Sequence, residues 1–336
     1  MKEMLKKLIA GKDLTEDESR DAIAMILSGE VTDAQMGAFL VALEAKGITV
    51  DEICGAARAM RTKAVRIQSL RHNTLDTVGT GGDGGMSFNI STTVAFVAAG
   101  AGATVAKHGN RASSGRSGSA DCLEALGLNL NADPEIMEQA LNELGIAFLF
   151  APSFHKAMRF AGKVRKELGV RTLFNVLGPL TNPAGAPCQL IGVFAPQLTE
   201  TFASVLKKLG SRRVLVVHGS DGMDEITLTG TSRCTELRDG ALRTYDIDPA
   251  MYFGDYCTNA DLEGGDAPDN AKITEGILKG EIKGPKRNIV LINSAASLLS
   301  SNLAADIAEG IRLSEDSIDS GKAYEKLVRL IEFSKH

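Results

Sequence analysis

The sequence contains no tryptophan, and aromatic residues make up only 5% of its 336 residues. It also lacks an excess of positive charge, because 37 lysines and arginines stand against 42 aspartates and glutamates, a formal net charge of −5. A protein that binds nucleic acid without regard to sequence normally presents a basic surface, so this balance argues against that class. It remains compatible with a local cluster of positive charge around a small anionic substrate.

Cysteine is scarce and long apolar runs are missing. The five cysteines (Cys54, Cys122, Cys188, Cys234 and Cys257) form no Cys-x-x-Cys pair, which predicts neither a disulfide framework nor a zinc site and favours reduced thiols. No uncharged apolar run approaches the roughly 20 residues of a spanning helix, and the charged first residues do not resemble a signal peptide. We therefore expect a cytoplasmic protein with no membrane partner.

Glycine is what the sequence has in excess, with 35 residues, 11 of them between positions 79 and 127. Apolar residues make up 44% of the chain, an ordinary value for a globular protein. At about 150 residues per domain, the length suggests two domains, or one large domain with an appendage.

The first 65 residues have the pattern of a helical bundle. Three capping boxes, beginning at Thr15, Thr32 and Thr49, each place a hydroxyl three residues before a glutamate or glutamine. Gly29 and Gly47 are suited to end two of these helices. We predict a helical domain over residues 1–70, joined by an excursion at 170–188.

From Leu75 onward, short apolar runs alternate with helical patterns, which predicts a mainly parallel sheet covered on both faces. An Asp239-Gly240 turn predicts a few antiparallel strands near it, including one at 226–229. The fold class is thus α/β: an N-terminal helical bundle domain plus a large α/β domain, residues 71–336, with a mainly parallel central sheet and a few antiparallel strands. The predicted strands are 76–78, 103–106, 147–150, 189–193, 214–217, 226–229, 234–237 and 242–245.

A glycine-rich loop follows the first predicted strand, at residues 78–93 (Val-Gly-Thr-Gly-Gly-Asp-Gly-Gly-Met-Ser-Phe-Asn-Ile-Ser-Thr-Thr). Glycines let backbone N–H groups approach phosphate oxygens, and the helix that begins near Ile90 adds positive potential. A tight strand-to-helix turn is the structural alternative. The spacing Gly-x-Gly-x-x-Gly also matches the dinucleotide fingerprint, but the helix begins too late and no acidic residue ends the next strand. A Walker A loop is excluded because no Gly-Lys-Ser/Thr follows.

A second loop, residues 107–121 (Lys-His-Gly-Asn-Arg-Ala-Ser-Ser-Gly-Arg-Ser-Gly-Ser-Ala-Asp), begins where the second strand is predicted to end. Ligands bind at the carboxyl edge of open α/β sheets, so the two loops are expected to be neighbours. Its cations and hydroxyls are typical of a phosphate clamp, although a solvated surface loop is the alternative.

Together with residues 150–158, 164–183 and 218–227, and less strongly 264–271, these loops resemble the anthranilate phosphoribosyltransferase family. The resemblance covers essentially the whole chain. It implies transfer of phosphoribose from 5-phosphoribosyl 1-pyrophosphate (PRPP) to the amine of anthranilate in tryptophan biosynthesis, with two Mg²⁺ per active site. It also implies a homodimer through the helical domain, small-molecule substrates and no nucleic acid.

The resemblance further implies the site residues. Those expected to bind anthranilate are Gly79, Asn110 and Arg165, and the metal ligands are expected to be Ser91, Asp224 and Glu225. Without it, Asp224-Glu225 reads as a solvated turn and Arg165 as part of a solvated helix face. The residues expected to bind PRPP are Gly79, Gly82, Asp83, Ser87, Asn89, Ile90, Ser91, Thr92, Lys107, His108, Gly109, Asn110, Arg111, Ala112, Ser113, Ser114, Gly115 and Ser119.

Two alternatives stay open at this point. One is a pyrimidine nucleoside phosphorylase-like enzyme of the same superfamily, against which the run 107–111 argues. The other is a non-catalytic nucleic-acid-binding relative, which should be basic and should lack the carboxylate pair. Two positions depart from the family pattern: Gly115 in the second loop, and Lys163, two residues before Arg165.

Overall fold

The protein is described from a computed structural model, which covers residues 1–81, 87–112 and 115–336. Seven strands in this part of the chain form one sheet in the order β3-β2-β1-β4-β5-β6-β7. The strands are β1 Leu75–Gly79, β2 Val105–Gly109, β3 Ile146–Phe150, β4 Cys188–Gly192, β5 Arg213–Gly219, β6 Ser232–Arg238 and β7 Ala241–Ile247. The helices are α1 Lys2–Ile9, α2 Glu16–Leu27, α3 Asp33–Lys46, α4 Val50–Lys63, α5 Ile90–Gly100, α6 Ser119–Ala125, α7 Pro134–Leu144, α8 Ala151–Phe154, α9 Arg159–Leu168, α10 Leu173–Leu177, α11 Leu198–Lys208, α12 Ala250–Phe253, α13 Ala267–Leu278, α14 Pro285–Ser300, α15 Ile307–Asp319 and α16 Lys322–Phe333.

The predicted fold class is confirmed. Strands β1 to β5 pair in parallel, and β6 and β7 add antiparallel pairs at one edge. All three predicted capping boxes are present, at the starts of α2, α3 and α4. None of the helices in the described residues has the length and apolarity that a membrane crossing requires.

Successive side chains of the central strands point to opposite faces of the sheet, so the buried core is divided into two clusters, one on each face. In β5, Leu215 and Val217 belong to one buried cluster, while Val214 and Val216 belong to the other. A strand with apolar residues on both faces is typical of a parallel sheet covered by helices on both sides. The helices α5 and α14 cover the first face, whereas α11 covers the second and α4 packs on the outside of α11.

The excursion after α9 packs against the N-terminal helices. Leu173 and Phe174 of α10 share a buried cluster with Phe39 of α3 and with Ile53 of α4. The same cluster contains Phe202 of α11, so the helical layer and one face of the sheet are continuous in the core.

One predicted strand is wrong. Residues 226–229 lie in the connection between β5 and β6, because the backbone groups of Ile226 that a strand would pair are bonded to a side chain. Asn293 of α14 accepts a hydrogen bond from Ile226 N–H (2.9 Å) and donates one to its carbonyl oxygen (2.9 Å). Asp221 holds the same loop by accepting hydrogen bonds from the hydroxyls of Thr227 (2.7 Å) and Thr229 (2.8 Å). The predicted Asp239-Gly240 turn is present, with positive φ at both residues, 51° and 78°.

Candidate active site

The strand order reverses direction at β1, which has β2 on one side and β4 on the other. In open α/β sheets a crevice forms at such a point, outside the carboxyl ends of the two strands. Here those ends are Gly79 and Gly192, which lie opposite each other in the sheet. The glycine-rich loop leaves from this point.

Two glycines allow a carboxylate to lie against the strand ends. A Cβ added to Gly79 would be 2.3 Å from Oδ2 of Asp224, and one added to Gly192 would be 1.5 Å from the Asp224 carbonyl oxygen. The same Oδ2 accepts a hydrogen bond from Gly81 N–H (2.8 Å). Asp224 is therefore held at the mouth of the crevice, and glycine is required at 192 for its backbone to fit.

The glycine-rich loop rejoins the fold at Asn89. Oδ1 of Asn89 accepts hydrogen bonds from the Ser117 hydroxyl (3.1 Å) and from Nδ2 of Asn270 (3.0 Å), and its Nδ2 donates to the Ser117 carbonyl (3.2 Å). One side chain thus joins the first loop to the second loop and to α13. The predicted helix start is confirmed, because α5 begins at Ile90.

Lys107 lies within β2 and is buried, rather than following the strand in a loop as the second-loop prediction had it. Its Nζ donates hydrogen bonds to the Thr77 carbonyl (2.6 Å) and to the Ser91 hydroxyl (3.2 Å). Burial lowers the pKa of Lys107 to about 8, and the carboxylates of Asp76 and Glu225 oppose that change. The ammonium is therefore bonded to Ser91 and feels the negative charge of Glu225.

His108 is also a buried β2 residue. Its Nδ1–H donates to the Gly178 carbonyl (3.2 Å), and its ring centroid is 5.1 Å from that of His155. Burial lowers the pKa of His108 to about 3 and that of His155 to about 4. Both imidazoles are thus neutral at physiological pH.

We expect these two histidines to make the protein less stable in mild acid. An unfolded imidazole has a pKa of about 6.5, so below that pH the unfolded chain binds protons that the folded chain cannot. Their contribution is fully present above pH 6.5 and falls by on the order of 2 kcal/mol per histidine by pH 5. Urea unfolding of the wild type and of His155→Gln at pH 7.5 and pH 5 measures this. An equal loss in both proteins would contradict it.

The second loop is pinned by acidic residues of α6. Asp121 accepts hydrogen bonds from the N–H groups of Ala112 and Gly118, both at 2.9 Å. Arg111 makes ion pairs with Asp121 (2.9 Å) and Glu124 (2.7 Å). The charge of this arginine is therefore balanced by the two carboxylates of α6.

The residues predicted to bind anthranilate come from two layers of the fold. Gly79 and Asn110 stand at the carboxyl ends of β1 and β2, whereas Arg165 comes from α9, which packs on α2 and α3. Arg165 is half-buried, with its Cζ 5.4 Å from the centroid of the Phe174 ring, and burial lowers the pKa of its guanidinium. It is thus more enclosed than the solvated helix face that a sequence pattern alone suggests.

The remaining predicted residues divide as follows. Asp224 and Glu225 lie in the connection between β5 and β6 rather than at a strand start. Among the described residues, no group of three or more His, Cys, Asp or Glu side chains is placed to hold a metal ion. Thr92 is buried within α5, and the Ser119 hydroxyl donates to the Asn110 carbonyl (3.3 Å). The predicted residues Gly82, Asp83, Ser113 and Ser114 lie outside the described residues.

Sequence reasoning missed several residues that build the site. Gly192 is the last residue of β4 and lies against Asp224. The sequence feature that could have identified it is a glycine that follows the apolar pair Leu190-Ile191. Asn270 and Gly264 support the first loop: a Cβ at Gly264 would lie 2.6 Å from the Phe88 backbone. Both fall in the segment 264–271, which resembled the family only weakly.

Comparison with known proteins gives the family. Residues 71–324 match the model described as glycosyl transferase family, a/b domain, and residues 2–64 match its helical bundle domain. Anthranilate phosphoribosyltransferase of Desulfosudis oleivorans is 56% identical over 331 residues, 98% of each chain. The chain belongs to the anthranilate phosphoribosyltransferase family.

Solved structures of this family have the same fold. The anthranilate phosphoribosyltransferase of Thermus thermophilus aligns with a TM-score of 0.94 and 44% identity, covering 99% of both chains. The Saccharomyces cerevisiae enzyme in complex with PRPP and Mg aligns with a TM-score of 0.91 and 29% identity, covering 99% of this chain and 97% of that one. The same yeast enzyme is also known in complex with 4-fluoroanthranilate.

Proposed function

We propose that this chain transfers the 5-phosphoribosyl group from PRPP to the amine of anthranilate, giving N-(5-phosphoribosyl)anthranilate and pyrophosphate. The observation that carries the proposal is the buried Lys107 ammonium beside the glycine-rich loop, at the point where the strand order reverses. A cation and a helix N-terminus at such a crevice suit a polyphosphate. The full-length similarity to enzymes of this name supports the same reaction.

The residues near Lys107 fit Mg²⁺. Asp224, Glu225 and Ser91 offer carboxylate and hydroxyl oxygens, which are the donors that this hard cation prefers, usually with waters and substrate phosphates completing its shell. When bound, Mg²⁺ neutralises charge that develops on the departing pyrophosphate. We propose two ions per site, because Asp224 and Glu225 offer two adjacent carboxylates. A calorimetric titration of Mg²⁺ with PRPP present measures the number.

The chain's own groups position the substrates and stabilise charge. The Lys107 ammonium, fixed by Thr77 and Ser91, lies where it can stabilise the leaving pyrophosphate as the bond to C1 of the ribose lengthens. The anthranilate amine attacks C1 from the opposite face, which inverts the configuration. An aromatic amine is already neutral near pH 7, so catalysis rests on positioning and electrostatics rather than on a strong base.

A turnover assay tests the reaction directly. Purified protein with PRPP, Mg²⁺ and anthranilate should consume the fluorescence of anthranilate, and phosphorolysis of thymidine or uridine should be absent. Folded protein without turnover over a range of Mg²⁺ concentrations would overturn the proposal. Phosphorolysis of a pyrimidine nucleoside would instead establish a phosphorylase.

Arg165→Ala is expected to raise the KM for anthranilate about 10-fold to 100-fold, because a planar guanidinium can bind both oxygens of a carboxylate. The KM for PRPP should change little. Steady-state kinetics with each substrate varied in turn measures both constants, and Lys166→Ala, the exposed neighbour in α9, is the matched control. An unchanged KM for anthranilate would remove Arg165 from the site.

The assembly, location and domain division are further parts of the proposal. Ile9 and Val41 are exposed apolar residues of the N-terminal helices, 79% and 47% accessible, and support a homodimer through that layer. Sedimentation should then give twice the chain mass of 35.5 kDa. We propose a cytoplasmic location, which the scattered cysteines support. We also propose a helical domain over residues 1–70, joined by the excursion 170–188, and an α/β domain over residues 71–336, a division that the packing of α10 supports. Cell fractionation and limited proteolysis test these two statements.

A further inference from the structure

Strands β1 and β2 begin as a regular parallel pair and then separate. Leu75 lies opposite Val105, and its N–H donates to the Thr104 carbonyl (2.8 Å). The next two bonds of a parallel ladder would run from Thr77 N–H to the Ala106 carbonyl and from His108 N–H to the Thr77 carbonyl. Within the described residues, the register of this pair does not extend past Leu75 and Val105.

Side chains bond three of those four backbone groups. The N–H of His108 donates to Oδ1 of Asp76 (3.0 Å), and Nδ2 of Asn182 donates to the Ala106 carbonyl (2.7 Å). Nζ of Lys107 donates to the Thr77 carbonyl (2.6 Å). We call the set Asp76, Lys107 and Asn182 the open seam.

Burying the charged side chains of the open seam inside a sheet costs free energy. Asp76 is fully buried, and its Oδ2 has no hydrogen-bond partner among the described residues. Burial raises the pKa of Asp76 to about 6, while the Asn182 amide, the His108 N–H and the Lys107 ammonium oppose the rise. A backbone rung would avoid the cost of burying a carboxylate and an ammonium.

What the arrangement achieves is the placement of a cation. With this rung open, the Lys107 ammonium bonds the Thr77 carbonyl of β1 and reaches the Ser91 hydroxyl (3.2 Å) at the start of α5. Asp76 accepts a hydrogen bond from the backbone of His108, the residue that follows Lys107, and its negative charge lies near the ammonium. Both effects act on the position of Lys107.

We propose that Asp76 is a positioning residue that takes the place of a rung between β1 and β2 and fixes Lys107 where the diphosphate of PRPP binds. This inference rests on the proposed function. Asp76 does not touch the substrate; it acts through Lys107 and the His108 backbone.

Asp76→Asn tests the proposal, because an asparagine oxygen can still accept from His108 N–H while the negative charge is lost and an NH₂ group faces other donors. We expect kcat/KM for PRPP to fall about tenfold or more, with the KM for anthranilate within about twofold of the wild type. Glu52→Gln is the matched control. Glu52 is another buried carboxylate, which accepts hydrogen bonds from Leu14 N–H (2.9 Å) and Thr49 N–H (2.8 Å) far from the crevice.

A second variant and a binding measurement complete the test. Asn182→Leu removes the amide that bonds the Ala106 carbonyl. It should also lower kcat/KM for PRPP while leaving the KM for anthranilate unchanged. A kcat/KM for PRPP within about threefold of the wild type in Asp76→Asn would overturn the proposal. So would a KM for anthranilate more than about twofold above that of the wild type, or failure of Asp76→Asn to unfold cooperatively, because Asp76 would then support the fold as a whole rather than the position of Lys107.

The outcome can be separated from that of the proposed function. Inorganic pyrophosphate with MgCl₂ should raise the Tm of the wild type and raise that of Asp76→Asn by less than half as much. If the wild type shows this shift without turnover, the proposed function fails while the positioning role stands. If the wild type turns over and both proteins shift equally, only the positioning role fails.

Discussion

Asp224→Asn is expected to lower kcat by on the order of 100-fold to 1,000-fold and to raise the Mg²⁺ concentration needed for half-maximal activity. The amide oxygen of asparagine can still accept the hydrogen bond from Gly81 N–H, so the loop should keep its place. The change removes negative charge at the strand ends, where Asp224 lies against Gly79 and Gly192. Turnover measured over a range of Mg²⁺ concentrations gives both constants.

The matched control is Asp221→Asn in the same connection between β5 and β6. Asp221 accepts hydrogen bonds from Thr227 and Thr229 and holds the loop rather than facing the crevice. Asp221→Asn should lower the free energy of unfolding and leave the Mg²⁺ concentration for half-maximal activity close to that of the wild type. If Asp224→Asn has the wild-type kcat and the wild-type Mg²⁺ midpoint, Asp224 is not a metal ligand.

Among glycine-to-alanine substitutions in the crevice, Gly192→Ala should lower activity the most. A Cβ at that position would lie 1.5 Å from the carbonyl oxygen of Asp224, so the backbone of one partner must move by more than an ångström. A displacement of that size at a catalytic group can cost about 100-fold in rate. Overpacking should also lower the free energy of unfolding by about 1–3 kcal/mol. Steady-state kinetics and urea unfolding measure the two effects separately.

Gly162→Ala provides the comparison for Gly192→Ala. Gly162 lies in α9 with no heavy atom within 4 Å of the added Cβ, so alanine fits without displacement. An exposed helical glycine changed to alanine should raise the free energy of unfolding by about 0.5–1 kcal/mol. Wild-type kcat in Gly192→Ala would show that Asp224 can shift without loss of function.

The elements that sequence predicted best are those encoded by local chemistry. The hydroxyl and the acidic or amide side chain of each capping box lie within one helical turn, and all three boxes formed as predicted. The Asp239-Gly240 turn needs only two residues that tolerate positive φ. The order of β1 to β5 along the chain likewise follows from alternation of strand and helix.

The elements that sequence missed depend on distant partners. Residues 226–229 have an apolar, threonine-rich pattern that suits a strand, but Asn293, far along the chain, bonds the backbone of Ile226. Lys107 was predicted to begin the second loop, but it lies inside a buried strand, where Thr77 and Ser91 accept hydrogen bonds from its ammonium. Periodicity carries no information about such tertiary bonds. The roles assigned to the site residues stay predictions until the variants are measured.

The apolar core shared by Phe39, Phe174 and Phe202 has a consequence for how the molecule loses its structure. The N-terminal helices pack against α10 and α11, and melting them alone would expose apolar side chains of this core to water. Apolar surface of that kind is costly to expose, so we expect calorimetry to record one cooperative transition rather than two. Although two family models divide the chain, we expect its two parts to unfold together.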